Sequence, residues 1–217
     1  MRYKWNQVEE SIGRTLGAND ARFRELKLRL KRLLVTDRRL GRRKRRLGNK
    51  AGSRYAFYSQ EAPGSGTEVM FSDYEAFALL AALRVLEHGI PQATVVDILR
   101  QVRWDLETAY TESMQKDPRE LFDPEAVLAM ARPGMIAADS TNPVFLAFVK
   151  LSGSAVSDGK VRALVTVCRG HDELTAFIRK HSAPSVGATF FEFVGLMHKL
   201  ANNLSQTQPI KRGRSTI

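Results

Sequence analysis

Seven of the nine residues from Arg38 to Arg46 (RRLGRRKRR) are lysine or arginine. No folded core takes in charge at that density. Whatever this chain folds into must carry the run on its surface, as a loop or as a helix end ordered by a partner. The run is part of a wider asymmetry. Residues 1–54 hold 18 Lys+Arg against 5 Asp+Glu, a net of +13, while the whole chain carries +11, so residues 55–217 sum to −2. A basic head on a near-neutral body attracts a polyanion and orients it at one end. Nucleic acid, with its array of phosphates, is the expected partner.

The 217 residues are 43% hydrophobic and 26% charged, enough for one large domain or two small ones with real cores. The single cysteine, Cys168, excludes a disulfide framework within the chain and fits a reducing compartment. No apolar run approaches the length of a membrane span, and Met1 to Glu10 has no apolar signal core. The expected location is the cytoplasm, associated with the nucleoid if the partner is DNA. The basic tail, 209–217, is expected to be disordered.

Hydrophobic spacing organises the first half. Val8, Ile12 and Leu16 predict a helix over 6–16, and Gly17 to Asp20 break it, with Asn19 or Asp20 as the next cap. Phe23, Leu26, Leu30, Leu33 and Leu34 then share one face of a helix over 20–35. Arg22, Arg29 and Arg32 flank that face on one side, and Arg24, Lys27 and Lys31 on the other. Helix, tight turn and basic amphipathic helix outline a helix-turn-helix. Residues 54–60 (RYAFYSQ) and 67–71 (TEVMF) read as two strands of a hairpin about the turn 62–66, in the position of a wing. Ser72 and Glu75 form a capping box that opens a helix closed by Gly89. Further helices are predicted over 91–103, 104–116 and 124–132. Residues 143–151 and 161–168 read as an antiparallel pair of strands, followed by helices over 172–181 and 188–205.

The basic residues supply the candidate site. Arg22, Arg24, Lys27, Arg29, Lys31 and Arg32 are placed at a DNA groove and its phosphates, since arginine reads guanine bidentately and lysine mainly neutralises phosphate. Arg38, Arg39, Arg42, Arg43, Lys44, Arg45 and Arg46 suit backbone or minor-groove contact. The same run also suits an RNA groove, or a solubilising linker. Lys50 and Arg54 extend the basic surface. Tyr55 and Tyr58 either rest against sugars or pack the hairpin onto the domain. Phe190, Val194, Met197, Ala201 and Leu204 recur at spacings of 4, 3, 4 and 3, which suits a two-fold dimer seam or a core stripe.

Catalysis finds no support. Cys168 and His171 give C-x-x-H without two further zinc ligands at set spacings, and the other histidines suggest no triad. The expectation is a protein that is not an enzyme and takes no cofactor or metal.

The order helix, basic helix, hairpin, followed by FSDYEAFALLAALRVLEHGIPQATVVDILRQV at 71–102, resembles the MerR-type winged-helix regulators. Phe71-Ser72-Asp73-Tyr74-Glu75 and Gly89-Ile90-Pro91 occupy the places of that family's wing-to-helix and helix-to-helix motifs. The similarity covers roughly residues 6–103. The chain departs from the pattern in having Lys31-Arg32-Leu33-Leu34 and an arginine run where the family has an arginine–aromatic cluster, and in lacking a long coiled-coil helix. The resemblance implies a dimeric DNA-binding transcription regulator with its second helix in the major groove and its wing on the backbone.

The expected fold is α+β: a winged helix-turn-helix head over 1–71, a helical region over 72–134, and a unit of two strands and two helices over 135–208 for dimerisation or partner binding. The expected function is a sequence-specific DNA-binding regulator, a repressor, acting as a homodimer. The alternatives are an RNA-binding protein using the arginine-rich run and an interaction module for an acidic protein partner.

Overall fold

The computed structural model of the chain describes residues 1–46, 54–59, 69–131, 135–150, 163–181 and 187–209. The fold is α+β. A short strand, β1 (Arg2–Lys4), leads into α1 (Trp5–Thr15) and, after a turn, into α2 (Asp20–Arg46). The side chain of Asn19 accepts from the Arg22 amide at 3.0 Å and so caps α2. Strand β2 (Met70–Ser72) pairs antiparallel with β1, placing Tyr3 opposite Phe71. Then follow α3 (Asp73–Glu87), α4 (Gln92–Gln101), α5 (Arg103–Met114) and two short helices, α6 (Pro118–Leu121) and α7 (Pro124–Met130).

The capping box forms at the start of α3: the Glu75 amide donates to Ser72 Oγ at 3.1 Å, and the Ser72 amide donates to Glu75 Oε2 at 2.8 Å. At the far end Gly89 takes φ +76°, a left-handed conformation that lets the chain reverse into α4 without a Cβ penalty.

Strands β3 (Val144–Lys150), β4 (Ala163–Arg169) and β5 (Ala188–Glu192) form an antiparallel sheet with β3 central. Between β4 and β5 runs α8 (Gly170–His181), and α9 (Val194–Gln206) follows β5. Residues opposite one another share a face of the sheet. Leu146, Val167 and Phe191 turn to the principal core, while Phe145, Cys168, Ala147 and Phe190 turn to a smaller cluster with Leu174 of α8.

The principal core is continuous from Tyr3 to Leu204. Val8 and Ile12 of α1, Leu30 and Leu33 of α2, and Phe77, Leu79 and Leu80 of α3 are buried in it with Phe193, Val194 and Met197. Helix α9 packs along α1, and polar groups close that seam. Gln7 Nε2 donates to the Thr207 carbonyl at 2.7 Å, Ser11 Oγ meets Thr207 Oγ1 at 3.0 Å, and Asn203 Nδ2 donates to Thr15 Oγ1 at 2.9 Å. The core thus joins the helical region over 72–134 to the basic head, as expected of a region packed on it, and takes in β3, β4, β5 and α9 as well.

Three expectations change. The hairpin over 54–71 is replaced: Arg54–Ser59 has no strand, and Met70–Ser72 pairs with Arg2–Lys4 instead. The expected turn over 62–66 lies outside the described residues. The expected helix over 188–205 begins as a strand, because Phe190 and Phe191 each find an apolar face of the sheet and only alternating strand geometry satisfies both. Finally, the helix expected over 20–35 does not stop there: α2 extends unbroken to Arg46, so of the two readings of the basic run, loop or helix end, the helical one is observed. Arginine, lysine and leucine are good helix formers, and Gly41 alone interrupts them.

Candidate nucleic-acid interface

The candidate surface is built on α2, whose 27 residues make a rod about 40 Å long. Its inner face is fixed by Leu26, Leu30, Leu33 and Leu34, all buried. Helical spacing then sends Arg24, Leu28, Lys31, Arg32, Val35, Arg39 and Arg42 outward, and all seven are exposed. Among the described residues, none of the five cations in this set forms an ion pair with an acidic side chain. The helix backbone continues through Arg43, Lys44, Arg45 and Arg46.

Other predicted contacts are already engaged within the chain. Arg22 pairs with Glu87 of α3 at 3.0 Å, and Arg29 with Glu25 at 2.5 Å. Lys27 Nζ sits 4.4 Å over the Phe23 ring. Arg38 Nε donates to the Tyr58 hydroxyl at 3.1 Å, and its guanidinium lies against the same ring. Arg54 is exposed on the irregular segment 54–59. Lys50 lies outside the described residues.

Tyr55 and Tyr58 cannot rest on sugars. They are 4% and 6% exposed, packed edge to face in the principal core. Burial pushes the Tyr58 hydroxyl up to about 12, against the opposing pull of Arg38. The core alternative for the last helix is the one observed. Val194, Met197 and Leu204 are buried inside the chain, Ala201 is half-buried, and Phe190 belongs to β5. No seam for a second copy is left on that stripe.

A buried polar network, which the sequence did not signal, holds α2 in place. Asp37 is fully buried and its Oδ1 lies 2.6 Å from Arg100 Nη2 of α4. The same carboxylate accepts from the Ala56 and Phe57 amides at 3.0 Å. Burial pushes the Asp37 carboxyl up, while Arg100 and the two amides pull it back down. Arg103 of α5 donates to the Tyr55 and Ala56 carbonyls at 3.1 and 2.8 Å and to Ser59 Oγ at 3.1 Å. Glu75, besides its capping role, accepts from the Ser59 amide at 2.5 Å. Side chains from α2, α3 and α5 thus take the backbone bonds that a strand partner would otherwise supply to 54–59, and Arg100 of α4 holds the Asp37 carboxylate among them. The one hint in the sequence is Asp37, a lone carboxylate on the inner face of α2 just before the basic run.

Cys168 of β4 and His171 of α8 sit at the smaller apolar cluster of the three-stranded sheet. Burial pushes the Cys168 thiol up to about 11, and His171 Nε2 bonds the Ile136 carbonyl at 2.8 Å with its ring against Phe145. Among the described residues, no three of the His, Cys, Asp and Glu side chains gather as metal ligands, and no helix is long and apolar enough to cross a membrane. Comparison with protein-family models, curated proteins and solved structures gives no match for this chain.

Proposed function

We propose that the protein is a DNA-binding transcription regulator that presents the outer face of α2 to the major groove of a duplex. One observation carries the reading. Arg24, Lys31, Arg32, Arg39 and Arg42 lie exposed on one face, spread over about 27 Å of helix, with no acidic partner among the described residues. A straight rod of this kind fits the major groove, which is wide enough for an α-helix. The order α1, turn, α2 supports a helix-turn-helix head.

The reading includes a homodimer on a two-fold site, formed through a surface other than the buried α9 stripe. The test is selection and sequencing from a labelled duplex pool at two salt concentrations, beside an RNA pool. An enriched palindromic duplex motif supports the dimeric regulator. Equal retention of every sequence, or preference for structured RNA at matched salt, overturns it.

A further inference from the structure

The outer face of α2 carries a second kind of group that charge alone does not explain. Leu28 and Val35 are 55% and 63% exposed. Seven residues apart, they lie within about 20° of each other around the helix and about 10 Å apart along it. Lys31 and Arg32 lie between them, Arg24 precedes them, and Arg39 and Arg42 follow. The surface is an aliphatic pair set within a field of cations.

The partner has to satisfy both features. A second copy of this helix is rejected by charge, since α2 has thirteen Lys+Arg against three Asp+Glu. The positions that would continue the aliphatic repeat, Ala21 and Arg42, give no coiled-coil seam. Duplex DNA supplies both features. It is a polyanion, and its major groove presents the thymine 5-methyl, an apolar group that aliphatic side chains contact. The separation of Leu28 and Val35 along the helix matches about three base-pair steps of roughly 3.4 Å each. RNA matches the charge but not the rest, because its major groove is deep and narrow and uracil has no methyl.

We infer that Leu28 and Val35 read thymine methyl groups in the major groove, about three base pairs apart, while the surrounding cations hold the phosphates. This inference rests on the DNA-binding reading above and adds the base that is read and the side chains that read it.

The test uses the full chain and one enriched duplex made in two forms, with thymine or with deoxyuridine, which differ in the 5-methyl alone. Wild type is expected to bind the deoxyuridine form roughly fourfold more weakly for each methyl contacted, the worth of one buried carbon at this scale. In Leu28→Ala/Val35→Ala the ratio between the two forms collapses toward one. Both positions are solvent-facing, so an unaltered melting temperature accompanies the change. Equal wild-type binding to the two forms, with binding still salt-sensitive, overturns the methyl contact and leaves the DNA reading standing. Failure to bind either form, with retention only by poly-glutamate, overturns the DNA reading itself and with it this inference.

Discussion

Arg100 reaches from α4 to Asp37 of α2 with 2.6 Å between Nη2 and Oδ1, and neither side chain is more than 1% exposed. The pair grips α2 at the residue just before the basic run, on the inner face between Leu34 and Leu40. It therefore fixes the course of the helix backbone that carries the run on to Arg46. Removing one partner leaves the other charged and buried, which costs about 3–5 kcal/mol. Asp37→Ala is expected to lose that much in urea unfolding. Replacing both, as Asp37→Leu with Arg100→Met, should recover a large part of the loss. A single variant within about 1 kcal/mol of wild type would falsify the anchoring role.

Gly41 is exchanged at a cost that helix propensity does not foresee. A Cβ there would overlap the ring of Tyr55, which is buried and cannot swing away. Alanine favours a helix over glycine by about 1 kcal/mol, whereas overpacking costs about 1–3 kcal/mol. Gly41→Ala is expected to lower the thermal midpoint, and pairing it with Tyr55→Ala should remove the clash. A raised midpoint in the single variant sinks the proposed contact between ring and helix.

Cations on α2 divide into engaged and available, and salt dependence separates them. Arg39→Ala is expected to reduce the slope of log K against log salt by about 0.9, the loss of one phosphate contact. Arg22, held by Glu87 at 3.0 Å, should change that slope little when replaced by alanine. Equal slopes for both variants would remove Arg39 from the interface.

His198 gives a pH dependence with a defined sign. Burial holds its imidazole below the ordinary value of 6.5, opposed by a bond between its Nε2 and the Ser113 carbonyl. The native state therefore resists a proton that the unfolded chain accepts. Its contribution is present in full above about pH 6.5 and declines as the pH falls from there toward the lower native value. Urea midpoints at pH 7.5 and 5.5 should differ less in His198→Gln than in wild type. An identical difference in the two proteins would assign the effect elsewhere.

What could be read from the chain was local. The Ser72–Glu75 capping box and the leucine face of α2 depend on spacings of three and four residues, and both are present as expected. The pairing of β3 with β4 followed from two apolar runs about a polar connection. What escaped depends on partners far apart in sequence. Arg54–Ser59 looks like a strand because it is aromatic, yet its backbone bonds go to Asp37, Arg103 and Glu75. Ala188–Glu192 looked like a helix start because Phe190 happens to continue the spacing of α9. The outer face of α2 was half legible. Its cations were visible, but the glutamate 65 residues away that claims Arg22 was not.

The seam between α1 and α9 bears on how the basic head is made. Gln7, Ser11 and Thr15 find their hydrogen-bond partners at Asn203 and Thr207. On the ribosome, α1 has no lid over this face until almost two hundred further residues have followed it. The basic helix meets its own brace sooner, once Arg100 of α4 has followed Asp37 by 63 residues. The two ends of the head are thus secured in sequence, the basic helix by the middle of the chain and the helix before it only by α9.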